Sequence, residues 1–116
     1  MSIEKFEDIK AWIKAKELTI FIYKLFSQSK DFSFRNQIER ASVSIMNNIA
    51  EGFERKGDKE FKQFLFIAKG SCGEVRSMLS LGLDLGYLSE KDYIFTNNLS
   101  IEISKILSGL IKTLKS

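Results

Sequence analysis

The sequence predicts an all-α protein, an antiparallel up-down-up-down four-helix bundle forming a single domain over residues 1–116. Three observations predict it. Apolar residues recur at three- and four-residue steps in four segments, and no alternating run bounded by turn residues reads as a strand. The connections between segments are only a few residues long, which makes consecutive helices antiparallel. With 44% hydrophobic and 28% charged residues over 116 positions, the chain suits one core and carries no signature of disorder.

The first helix is expected over about 7–29. Ile9, Trp12, Ile13, Ile20 and Tyr23 form one apolar face and Ala15, Leu18, Ile22 and Leu25 another, so two packing partners are implied. The second helix, about 33–53, starts with Ser33 as N-cap and turns Ile38, Ala41, Ile45, Ile49 and Gly52 or Phe53 inward. It stops between Gly52 and Gly57, which bracket the turn Glu54-Arg55-Lys56.

The third helix, about 58–85, takes Asp58 as N-cap and sets Phe61, Leu65, Ala68, Cys72, Val75, Leu79 and Leu83 in register. Gly86-Tyr87-Leu88 ends it, a glycine at C′ followed by an apolar residue that folds back. Ser89 to Asp92 is a Ser-x-x-Asp capping box for the fourth helix, about 89–115, with Phe95, Leu99, Ile103, Ile106, Leu110 and Leu114 as its inward stripe.

Proline is absent, and the single cysteine, Cys72, has no disulfide partner in the chain, which fits a reducing cytoplasm. The N-terminus lacks the basic and apolar regions of a signal peptide. The longest mostly apolar run, Leu18 to Tyr23, falls far short of the roughly 20 residues of a membrane span, so no membrane partner is expected. Net charge is +3, spread over both halves: ten Lys/Arg against nine Asp/Glu in residues 1–58, eight against six in 59–116. That distribution excludes a strongly basic arm, while a pI near 9.0 permits a phosphate-binding surface.

Catalytic chemistry is poorly supplied, and a non-enzymatic protein without cofactor or metal is expected. There is no histidine, a lone cysteine cannot build a thiolate metal site, and Glu-x-x-His motifs are missing. Cys72 lies on the apolar stripe and reads as a small core residue. Glu39, Glu51 and Glu74 are the carboxylates placed to meet near the core; the competing reading is that each caps, pairs or points to solvent. Gly70 and Gly73 lack the strand-loop-helix context of a nucleotide fingerprint. Each glycine inside a helix costs up to about 1 kcal/mol relative to alanine. Close approach of another helix, from the same chain or a neighbouring subunit, is therefore expected there.

The strongest polar constellation is basic. At about 100° per residue, Lys62, Lys69 and Arg76 fall on one side of the third helix, and Arg55, Lys56 and Lys59 extend that side through the preceding turn. Such a ridge suits sequence-independent contact with nucleic-acid phosphates. The alternative is an ordinary solvated face offset by Glu60, Glu74 and Asp84. Most of the ten phenylalanines fall on apolar stripes, while Phe66 and Ile67 point outward and read as a subunit interface. With the second face of the first helix, Leu18, Ile22 and Leu25, they argue for a homo-oligomer.

Ser44-Ile45-Met46-Asn47-Asn48-Ile49-Ala50-Glu51-Gly52-Phe53, then Phe61-x-x-Phe64-Leu65 and Ala68-Lys69-Gly70-Ser71, resembles the signature of the bacterial proteins encoded within 23S rRNA intervening sequences. That family is similar to the accessory variability determinant of diversity-generating retroelements. The likeness extends through Phe6-Glu7-Asp8-Ile9-x-x-Trp12-x-x-Ala15, Gln37-Ile38-x-Arg40-Ala41-Ser42 and the Gly86-Tyr87-Leu88 turn. It implies a four-helix protomer, a pentameric ring, and contact with RNA or DNA or with a nucleic-acid enzyme such as a reverse transcriptase. Met46 stands where family members commonly carry proline, so the second helix should be straighter here. Within the motif, Ile45 and Ile49 read as core contacts and Gly52 as a helix terminator. Asn48 and Glu51 read as interhelical hydrogen-bond partners, and Glu74 belongs to the same structural motif.

Overall fold

A computed structural model describes residues 3–115. The helices are α1 (Lys10–Leu25), α2 (Phe32–Phe53), α3 (Asp58–Asp84) and α4 (Glu90–Thr113), preceded by a 3-10 turn at Phe6–Asp8. Each helix packs on its neighbours in chain order and α4 closes back on α1, while the diagonal pairs stay apart. The result is a four-helix bundle measuring 43 × 21 × 20 Å. Among the described residues no helix is long and apolar enough to cross a membrane.

The core is one apolar column: Ala11, Ala15, Leu18 and Ile22 of α1 meet Ile38, Ile45 and Ile49 of α2, Leu65, Cys72 and Leu79 of α3, and Leu99, Ile103 and Leu107 of α4. Only one face of α1 is buried, because Ile13, Ile20 and Tyr23 are exposed. The stripe of α4 is also rotated from its expected position. Phe95 is exposed, resting on Phe21 with ring centroids 4.9 Å apart, and Thr96 is buried in its place. A threonine can take the inner position because its hydroxyl donates to the Asp92 carbonyl at 2.7 Å, which removes the cost of burying it.

Three helix starts differ from the expected ones. The extended backbone of Ile9 (φ −74, ψ 121) separates the 3-10 turn from α1, so the helix begins at Lys10 rather than at 7. It ends at Leu25, where Phe26 is buried edge-on against Phe34 and turns the chain toward α2. The N-cap of α2 is Asp31, not Ser33: its carboxylate accepts from the Phe34 N–H at 3.1 Å, and a negative cap suits the positive end of the helix. The N-cap of α3 is Gly57, in extended conformation, and Asp58 is the first helical residue. The Asp58 carboxylate instead accepts from the Lys115 N–H at 3.0 Å, tying the C-terminal end of α4 to the start of α3.

The α3 terminus forms as the sequence indicates. Gly86 has φ +77, its N–H bonds to the Leu83 carbonyl, and the Tyr87 N–H bonds to that of Gly82 at 2.8 Å, the two bonds of a Schellman end. Ser89 caps α4 by accepting from the Asp92 N–H at 3.1 Å.

Tyr87 then reaches across the bundle end, its ring edge-on to Phe34 and its hydroxyl donating to Asp31 Oδ2 at 2.7 Å. This hydrogen bond, followed by that from Phe34, holds the Asp31 carboxyl below its ordinary 3.8 and raises the Tyr87 phenol. A carboxyl depressed on folding contributes stability above its unfolded pKa and loses it as pH falls through the folded one. Tyr87→Phe is therefore expected to melt below the wild type at neutral pH, with the gap closing in strong acid. Thermal melts followed by circular dichroism across that range check it; a gap independent of pH would contradict it.

Candidate nucleic-acid interface

The basic residues divide into three environments. Arg55 in the α2–α3 turn is neutralised: its guanidinium lies 2.6 Å from Glu51 Oε2 and 3.8 Å from Glu60 Oε2, and stacks over the Phe64 ring at 4.9 Å. Lys56 and Lys59 are exposed on the same turn and the first turn of α3. Lys62, Lys69 and Arg76 are half-buried; Lys69 and Arg76 line a cleft against α4, and Lys62 lies one seven-residue step earlier on the same side of α3. None of these three has a carboxylate within 4 Å among the described residues.

Arg76 is held in place by neutral groups. Its Nη1 lies 3.5 Å from the Ser100 hydroxyl, which itself donates to the Cys72 carbonyl at 3.1 Å. The Cys72 thiol lies beneath, and burial pushes it up to about 11 even though Arg76 and Lys69 pull it down. A thiol that stays protonated near neutral pH is no nucleophile.

The three carboxylates do not meet: each pairs locally or lines the surface, the competing reading of the sequence. Glu39 is buried and paired with Arg35 Nε at 3.3 Å, Glu51 pairs with Arg55 of the following turn, and Glu74 lines the groove between α2 and α3 near Arg40 and Ser44. Among the described residues, no three His, Cys, Asp or Glu side chains are grouped to hold a metal. The placement of Glu74 also separates it from the Lys69 flank, since Glu74 sits five residues further along α3 and turns to the α2 side.

The motif residues split between packing and local bonding. Ile45 and Ile49 are fully buried, as expected. Asn48 and Glu51 are not interhelical partners. Asn48 Nδ2 donates back to the Ser44 carbonyl at 2.8 Å and to its hydroxyl at 3.0 Å, because a residue four positions earlier is the nearest acceptor on a helix. The link between α2 and α3 is made by serines, Ser44 Oγ and Ser71 Oγ being 2.9 Å apart. A second link joins α1 to α2, Thr19 donating to the carbonyls of Ala15 and Ser42. Small hydroxyl residues at core spacing were the available signal for both.

Gly52 is not a terminator but a buried helical residue. A Cβ there would stand 2.6 Å from Phe64 Cβ, so the glycine marks a close approach of α2 and α3. Gly70 and Gly73 are the reverse: within the protomer no helix approaches either one. Phe66 and Ile67 are exposed beside them, as expected. Leu18 and Ile22 are fully buried and Leu25 packs on the core, so these three serve the protomer's interior rather than its surface. The same inward turn that buries them leaves Ile13, Ile20 and Tyr23 as the apolar surface of α1.

Fold and surface together define a small all-α bundle with a basic flank on its third helix. The family model described as 23S rRNA-intervening sequence protein matches residues 7–109. The chain belongs to that family. A crystal structure of a protein of unknown function from the S23 ribosomal protein family of Bacteroides thetaiotaomicron VPI-5482 superimposes with a TM-score of 0.82 at 31% identity, covering 88% of this chain and 98% of that one. No curated protein matches the chain.

Proposed function

We propose that this protein is a non-enzymatic, self-associating cytoplasmic bundle that contacts structured RNA or DNA through the basic flank of α3. The observation that carries the reading is the row Lys62, Lys69 and Arg76, half-buried on one flank with no carboxylate within 4 Å. Cations left uncompensated are the ones free to displace counterions from phosphates. Lys56 and Lys59 add to the same charge, whereas Arg55 contributes little because Glu51 and Glu60 already neutralise it. Self-association is supported by exposed Phe66 and Ile67 beside the open backbone of Gly70. A pentamer is the ring size that the family resemblance implies.

Filter binding of RNA and DNA across a salt series tests the reading. Three phosphate contacts predict a log–log slope steeper than about −2. Absent or salt-insensitive binding at about 50 mM salt would sink it, because phosphate contacts must weaken as counterions are added.

A second reading is a protein-interaction scaffold, such as an accessory subunit of a nucleic-acid enzyme. Exposed Ile13 and Ile20 of α1 and Ile94 and Phe95 of α4 favour it, since exposed large apolar residues on adjacent helices suit a protein partner.

A further inference from the structure

The basic row on α3 forms only one wall of a groove. The other wall is α4: Ser104, Lys105 and Ser108 face Lys69 and Arg76 across a cleft of about 290 Å³ floored by Ile101. Lys105 also has no carboxylate within 4 Å among the described residues. The one acid of that α4 turn, Glu102, is directed away and pairs with Lys14 of α1 at 3.2 Å. Three cations and two hydroxyls thus share a cleft from which the fold has removed negative charge.

Further lysines continue the line of the cleft along both helices. The Ser100–Cys72 hydrogen bond sets the level of the two antiparallel helices. Ten residues back from Cys72 is Lys62, and ten residues on from Ser100 is Leu110, two positions from Lys112. Lys112 follows Lys105 by seven residues and so lies on the same side of α4. From Lys62 to Arg76 the row spans about 21 Å at about 1.5 Å per residue.

We infer that the α3–α4 seam is a phosphate track that takes a phosphodiester backbone lengthwise, with Lys62, Lys69 and Arg76 on one wall and Lys105 and Lys112 on the other. The hydroxyls of Ser104 and Ser108 donate to phosphate oxygens between them. This rests on the nucleic-acid reading above and adds an α4 wall to it. The cleft between Lys69, Arg76 and Lys105 is lined by an isoleucine and hydroxyls without an aromatic ring, which suits contact with the backbone rather than with bases.

The test compares Lys105→Ala/Lys112→Ala with Lys56→Ala/Lys59→Ala and the wild type, all full chain, in salt-series binding to one RNA and one DNA. All four lysines are exposed, and melting curves confirm that each variant is folded. The α4 variant is expected to flatten the salt slope by about 1.4–1.8 and to weaken binding at about 0.1 M salt at least tenfold. The turn variant should change the slope by less. An unchanged slope in the α4 variant, with wild-type binding intact, overturns the track and leaves the broader reading standing. Wild-type protein that binds neither nucleic acid overturns both.

Discussion

Lys62→Glu/Lys69→Glu is expected to abolish nucleic-acid retention, with affinity at about 0.1 M salt falling by about 100-fold or more. Two lost phosphate contacts alone account for most of that, and the reversed charges add repulsion between Glu and phosphate. Neither lysine holds a hydrogen bond or ion pair within the described structure, so the fold should survive the change. Melting temperature, measured alongside, should move little. The scaffold reading predicts the opposite result, retention untouched by the reversal, because its contacts are the apolar residues of α1 and α4. One pair of variants therefore separates the two readings without knowledge of the natural partner.

Gly52→Val should destabilise the bundle strongly even though it adds apolar surface at a buried position. The new Cβ would lie 2.6 Å from Phe64 Cβ and 3.0 Å from Phe61 Cδ1. Phe64 Cβ is the root of its side chain and moves only with the α3 backbone, so α2 and α3, the most extensively packed pair of helices, must separate there. Overpacking of this kind costs about 1–3 kcal/mol, and valine's branched methyls place the expectation at about the upper end. At about 4 °C or more per kcal/mol, a fall in melting temperature of roughly 10 °C is expected. Gly70→Ala is the contrasting control, since nothing lies within 4 Å of its Cβ position. Alanine there should raise stability by up to about 1 kcal/mol. Equal losses at Gly52 and Gly70 would contradict the packing difference between them.

Helix number, order and most of the buried stripes were legible in the sequence, since apolar spacing and the Gly86 and Ser89 signals are local properties of the chain. What was not legible depended on competition between neighbouring residues. Asp31 and Ser33 are both good caps, and the choice fell to Asp31, whose second oxygen also receives the Tyr87 hydroxyl from 56 residues away. Phe95 is more apolar than Thr96, yet the rotation of α4 against the core buries the threonine. Gly52 and Gly70 are both glycines within helices, and only the approach of Phe64 distinguishes the one that the packing requires.

The candidate interface divides in the same way. Seven-residue spacing determined by itself that Lys62, Lys69 and Arg76 share a side of one helix, because helical periodicity needs no partner. Which charges remain free was decided by the tertiary structure: Glu51 and Glu60 neutralise Arg55, while Glu74 and Glu102 turn to other faces. The pairing of α3 with α4 likewise brought Lys105 beside Lys69 across a gap of 36 positions in the chain. Periodicity along a helix is written in the sequence, but the distance between charges on different helices exists only once they pack.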